Sequence, residues 1–126
     1  MSLSPVGQMP GYVAASDLSD KQFRLVKISA AGEVDLCGAG EVAAGVLIND
    51  PDEGEAADVM RLGTCPVHAD GNSDNIAIND PLKSAADGIA VLADTDKDHV
   101  IGWSNVALSV DGKNIEAFIT PSTANI

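Results

Sequence analysis

Apolar residues fall in short runs along this chain, broken every few positions by Gly, Pro, Asn or Asp. That punctuation predicts short strands joined by tight turns. Residues 23–29 are rich in apolar and β-branched side chains and end at Ala30-Ala31-Gly32-Glu33, so 34–37 is expected to return as a second strand. Residues 45–48 read as a short buried run, closed by the turn cluster Asn49-Asp50-Pro51-Asp52-Glu53-Gly54. Residues 57–62 set Val59 and Arg61 against Asp58, Met60 and Leu62, the alternation of a half-buried strand. Gly63 interrupts as a bulge, and a strand at 65–69 leads to the Asp70-Gly71 turn.

The second half repeats the style of the first, and Asn79-Asp80-Pro81 echoes Asn49-Asp50-Pro51. Strands expected at 82–84 and 89–92 flank Ala85-Ala86-Asp87-Gly88, a hairpin signal of the Asp-Gly type. Further strands are expected at 100–103, 106–110 and 114–119, the last two joined at Asp111-Gly112. Helical signals are confined to one turn at 17–21, capped by Ser16 or Asp17, and to 41–44, which is too short to form a helix. The expected fold is all-β: a small β-barrel or β-sandwich of short antiparallel strands with an extended N-terminal arm. The arm covers 1–17, where Pro5, Gly7, Pro10 and Gly11 break regular structure and Val6, Met9 and Tyr12 look like anchors. A single β-rich domain follows at 18–120, then a C-terminal tail at 121–126.

Composition sharpens this picture. The 126 residues are 45% hydrophobic but only 3% aromatic. The core must rest on Val, Ile, Leu and Ala and is expected to be thin, with Trp103 filling it. Nineteen acidic residues against seven Lys and Arg give a formal charge of -12. The basic residues are scattered, whereas nucleic-acid binding needs them clustered, so no direct nucleic-acid partner is expected. The longest apolar stretch, 42–48, is far short of a membrane span, so no membrane partner is expected. The first residues lack a basic n-region and an apolar h-region, which predicts synthesis in the cytoplasm.

Several segments hold residue types that carry chemistry elsewhere. Gly38-Ala39-Gly40-Glu41-Val42-Ala43 fits a dinucleotide fingerprint formally, but no helix has room to open at the glycines, so no cofactor is expected. Asp94, Asp96 and Asp98 begin a calcium loop, yet its sixth and twelfth positions hold His99 and Asn105 instead of Gly and Glu. Cys65 and His68 make one short pair, and Cys37 and His99 are isolated, which falls short of a zinc pattern. The two cysteines read as buried thiols rather than a disulfide. No nucleophile elbow is present, and no acidic pair sits on a rigid wall, so no catalytic residue is assigned and an enzyme is not expected.

Read in order, the chain carries Ser4-Pro5-Val6-Gly7-Gln8-Met9-Pro10-Gly11-Tyr12, Asp17-Leu18-Ser19-Asp20-Lys21-Gln22-Phe23, Leu25-Val26-Lys27, Gly32-Glu33-Val34, Ala43-Ala44-Gly45-Val46-Leu47, Gly54-Glu55-Ala56-Ala57-Asp58-Val59, Leu82-Lys83-Ser84-Ala85-Ala86-Asp87-Gly88, Val100-Ile101-Gly102 and Gly112-Lys113-Asn114-Ile115-Glu116. On these segments the chain resembles the small capsid decoration (cement) proteins of tailed bacteriophages. The signal lies in their order and spacing across nearly the whole chain. The resemblance implies a β-rich fold, a virion location on the outer capsid surface after synthesis in the host cytoplasm, the major capsid protein as partner, and a homotrimer. It implies no catalytic residues. It also implies a capsid-binding role for the arm, here Pro5, Val6, Gln8, Met9, Pro10 and Tyr12. The alternative is a virion-displayed module that binds a host surface or glycans through its acidic loops.

Overall fold

The computed structural model describes residues 8–72, 74–94, 98–110 and 112–123. Ten strands lie within them: β1 (Gln8–Ala14), β2 (Leu25–Ala30), β3 (Glu33–Leu36), β4 (Gly45–Leu47), β5 (Ala56–Met60), β6 (Gly63–Ala69), β7 (Pro81–Ser84), β8 (Ala90–Leu92), β9 (His99–Ser104) and β10 (Lys113–Thr123). They close into two five-stranded barrels, ordered β1-β3-β2-β4-β5 and β10-β6-β8-β7-β9. Closure leaves no free sheet edge within either barrel, which removes the usual template for uncontrolled strand addition. The all-β barrel expected from the alternation is therefore present, as two barrels in series.

The two barrels follow one plan. Each takes five consecutive strands, and read from its first strand each runs first-third-second-fourth-fifth before closing. Each contains one parallel contact, between first and third strands: Ala14 opposite Val34, and Ala69 opposite Ala90. The registers correspond as well. Val26 faces Leu36 as Leu82 faces Leu92, and Val26 faces Gly45 as Leu82 faces Gly102. Val46 faces Met60 as Trp103 faces Phe118. Even the lead-in to the second strand is shared. The Phe23 amide donates to the Leu47 carbonyl at 2.6 Å, and the Asn79 amide to the Ser104 carbonyl at 2.7 Å. Phe23 and Asn79 both adopt positive φ, 68° and 71°. The Asn-Asp-Pro echo in the sequence is unrelated to this repeat, since Asn49 follows a fourth strand and Asn79 precedes a second.

Barrel 1 is filled by Ala14, Leu18, Val26, Val34, Leu47, Ala57 and Val59, with Tyr12 and Leu36 packed alongside. A second cluster fills barrel 2 with Val67, Leu82, Ile115 and Ile119 among others, and it also takes in Leu25, Cys37, Ala43 and Val46 from barrel 1. Strand alternation turns Leu25 and Val46 away from the barrel 1 interior, and with Cys37 and Ala43 from the adjoining loops they cement the junction between barrels. Polar contacts reinforce it. The His68 amide donates to Phe23, the Gly88 amide to Cys37, and the Arg24 guanidinium to the Asp87 carbonyl at 3.0 Å.

Four local expectations meet a different outcome. Residues 8–14 of the expected arm form a strand paired on both sides, antiparallel to β5 and parallel to β3. Pro10 and Gly11 sit where the β1–β5 register shifts between Met9 and Tyr12, and Gly11 takes φ 107° there. A bulge absorbs residues that normally break a strand. Residues 106–110 form no strand; only Leu108 makes a bridge, to Ile76. Residues 17–21 form a single hydrogen-bonded turn without helix: the Lys21 amide donates to the Leu18 carbonyl at 3.1 Å, and the Asp17 carboxylate accepts the Ser19 amide. Trp103 does not fill the core, because it points outward on β9 and is 39% exposed. The Asp-Gly hairpin is as expected: Asp87 and Gly88 both take positive φ, 59° and 67°, in a turn that matches strand twist.

Candidate interaction surfaces

Of the residues expected to seat on a shell, Pro5 and Val6 lie outside the described residues. Gln8, Met9, Pro10 and Tyr12 lie on β1 inside barrel 1. Tyr12 packs against the barrel 1 core, and its hydroxyl accepts a 3.4 Å bond from the Arg61 guanidinium. Arg61 also donates to the Ala44 carbonyl. Tyr12 thus ties β1 to the segment where the chain passes from one barrel to the next.

The described ends of the acidic loop meet at a side-chain cation. Lys83 on β7 places its ammonium 3.2 Å from Asp94 and 3.1 Å from Asp98. Burial pulls the Lys83 pKa down, but the bonds to Asp98 and Asp94 outweigh it and leave it above the usual lysine value. Asp96 lies outside the described residues. Two of the three carboxylates expected to begin a calcium loop are therefore engaged with Lys83.

Cys37 and Cys65 are both buried and free. Burial pushes the Cys65 thiol up to about 11, and burial also raises Cys37, so both are poor nucleophiles. The His68 ring bonds the Asn114 side chain at 3.1 Å, and His99 is exposed. Among the described residues no three His, Cys, Asp or Glu side chains group to hold a metal. In the glycine-rich loop, Glu41 accepts the Gly38 amide at 2.7 Å and pairs with Lys27 at 2.8 Å. The Lys27 bond, with help from the Gly38 amide, holds the Glu41 carboxyl below its ordinary range. The loop closes on itself instead of opening a phosphate cradle.

The feature that sequence reading missed is an aromatic row on barrel 2. Thr64, Phe118, Trp103 and Pro81 lie opposite one another across β6, β10, β9 and β7. Phe118 is 41% exposed beside Trp103. Asn105 and Glu116 flank the row, joined by a 3.1 Å bond. Aromatic residues are scarce in this chain, so two neighbours facing outward make a marked apolar surface. Alternation around Phe118, with Ala117 and Ile119 as inward partners, was the available signal.

No family model matches the chain, and no curated protein matches it. Among solved structures, it is similar to the N base of the head fiber gp8.5 of bacteriophage phi29. The TM-score is 0.70 at 21% sequence identity, over 94% of this chain and 98% of that one. The likeness spans both barrels and establishes the fold they share.

Proposed function

We propose that this chain is a structural virion protein that decorates the outer surface of a tailed-phage head. In this reading it is a homotrimer that bridges neighbouring subunits of the major capsid protein, and it catalyses no reaction. A fold alone hosts many functions, so the reading draws on two kinds of support. The observation that carries it is the end-to-end likeness to a phage head fiber base, with nearly all of each chain matched. The ordered resemblance to phage cement proteins, seen in the sequence alone, points the same way.

Physical features fit the role. Closed barrels present rigid outer faces without exposed strand edges. The charge of -12 keeps a high-copy protein soluble before it docks. On a shell, many modest contacts repeated over the lattice act together, so no single site has to bind tightly.

The test is co-sedimentation with purified heads of the parent phage that lack this protein. Saturable binding at a copy number commensurate with icosahedral symmetry is the expected result. Absence of binding would overturn the reading.

A further inference from the structure

The internal repeat exposes a second junction that nothing among the described residues fills. Within one chain, barrel 1 docks on barrel 2 through Leu25 and Val46, both fully buried, with Met60 packed beside them. The positions equivalent to these three in barrel 2 are Pro81, Trp103 and Phe118, as the shared registers show. There the same face is bare: Trp103 and Phe118 are 39% and 41% exposed. Barrel 2 thus repeats the docking face of barrel 1, with Trp103 and Phe118 in place of Val46 and Met60 and with no further barrel among the described residues to cover them.

The receiving face is repeated too. Barrel 2 receives barrel 1 on β6 and on the β7–β8 hairpin. His68 and Gly88 donate backbone bonds across the junction, and the Ser84 hydroxyl donates to Cys37. By the correspondence of registers, barrel 1 offers Val13 in place of His68, Ile28 in place of Ser84 and Gly32 in place of Gly88. Gly32 and Gly88 both take positive φ, 76° and 67°. At the first two places polar residues give way to apolar ones, and Val13 and Ile28 are 37% and 46% exposed. One difference is clear. The Val13 amide already bonds the Gly32 carbonyl, so apolar contact has to carry more of this junction than of the internal one.

We propose that two copies of this chain join head to tail, with the Trp103–Phe118 face of one seated on the Val13–Ile28 face of the next. The contact continues the junction already made inside each chain. It is heterologous, since different surfaces of the two copies meet, and each copy keeps one face of each kind for a further neighbour. Both faces are apolar while each copy carries a charge of -12, so repulsion between copies opposes the contact and salt relieves it. The junction itself does not depend on the capsid reading above, and its test needs no phage head. The two can therefore fail separately.

Sedimentation velocity on the purified chain tests this, at low and high salt and over a range of concentrations. The wild type is expected to self-associate, more strongly at high salt. Ile28→Glu and Trp103→Glu, each placed on an exposed position, should weaken association at least ten-fold. Ile28→Thr and Trp103→Thr, which suit a strand, repeat the test with less disturbance, and circular dichroism confirms that each variant is folded. The decisive arm mixes the two Glu variants. Ile28→Glu keeps an intact aromatic face and Trp103→Glu keeps an intact receiving face, so the mixture should form a two-chain species that neither forms alone. A wild type that stays a single chain at both salts overturns the proposal. So do folded variants that associate like the wild type, and so does a mixture that forms no two-chain species.

Discussion

Gly102 lies against Phe118 so closely that a Cβ on Gly102 would stand 2.1 Å from the Phe118 carbonyl oxygen. Its counterpart in barrel 1 is Gly45, where a Cβ would meet the Met60 carbonyl at 2.4 Å. Both obstacles are backbone and cannot swing aside. Gly102→Ala and Gly45→Ala should each destabilise by about 3 kcal/mol or more, in the range reserved for forced overpacking and strain. Urea unfolding followed by circular dichroism measures this. A loss under about 1 kcal/mol would show that the barrels open freely at these crossings.

Lys83 stands where a metal-binding reading of the acidic loop would put a cation. Lys83→Met leaves Asp94 and Asp98 without the ammonium between them. Partly exposed pairs of this kind contribute little, so the expected loss is up to about 1 kcal/mol. Calcium at millimolar concentration should leave the wild-type melting temperature unchanged. A clear calcium-dependent rise in the wild type would restore the loop as a metal site.

Much of the fold was legible because its strands obey simple local rules. Period-two alternation located β5, and turn chemistry located the β7–β8 hairpin through Asp87 and Gly88. Lys27 and Lys83, Leu36 and Leu92, and Gly45 and Gly102 are identical at equivalent places, yet too sparse to announce a repeat. What the barrels share is register and backbone conformation, which Phe23 and Asn79 achieve with unlike side chains. The strand at Gln8–Ala14 was hidden by Pro10 and Gly11, since a bulge and a breaker look alike in sequence. Trp103 misled because large aromatics usually pay best when buried. Here its neighbours on β9, Gly102 and Ser104, hold the buried positions, so strand alternation turns the indole outward.

Deleting residues 1–12 tests β1 as part of the barrel. That cut leaves Val13 and Ala14, which pair with β3, but removes Gln8, Met9 and Tyr12 from the pairing with β5, and Tyr12 also packs on the barrel 1 core whose strands it helps to hold together. The shortened chain should lose cooperative unfolding of barrel 1, seen as lost amide protection in β3 and β5 by hydrogen exchange. A dispensable arm would instead leave protection there unchanged. Head binding by this truncation is therefore not a clean probe of attachment, and point changes on exposed positions are the better tool.

Cys65 supplies a pH test of the junction-side core. Its thiol belongs to the cluster that fills barrel 2, and burial raises it from an ordinary 9.0 to about 11. The folded value lies above the unfolded one, so on raising pH the unfolded chain gives up this proton first. The stabilisation is fully present below about pH 9 and is lost as pH rises through about 11. The urea midpoint of the wild type should fall across that window. Lys27, Lys83 and Cys37 are also raised from their ordinary values, so the informative quantity is a difference in slope. Cys65→Ala should start with a lower midpoint, because a buried sulfur is lost, and then decline less steeply than the wild type between pH 9 and 11. Parallel declines would mean that the Cys65 thiol meets solvent in the folded state. The same exposure would appear independently as rapid reaction with a thiol reagent before unfolding, whereas a buried thiol should react only as the barrel opens.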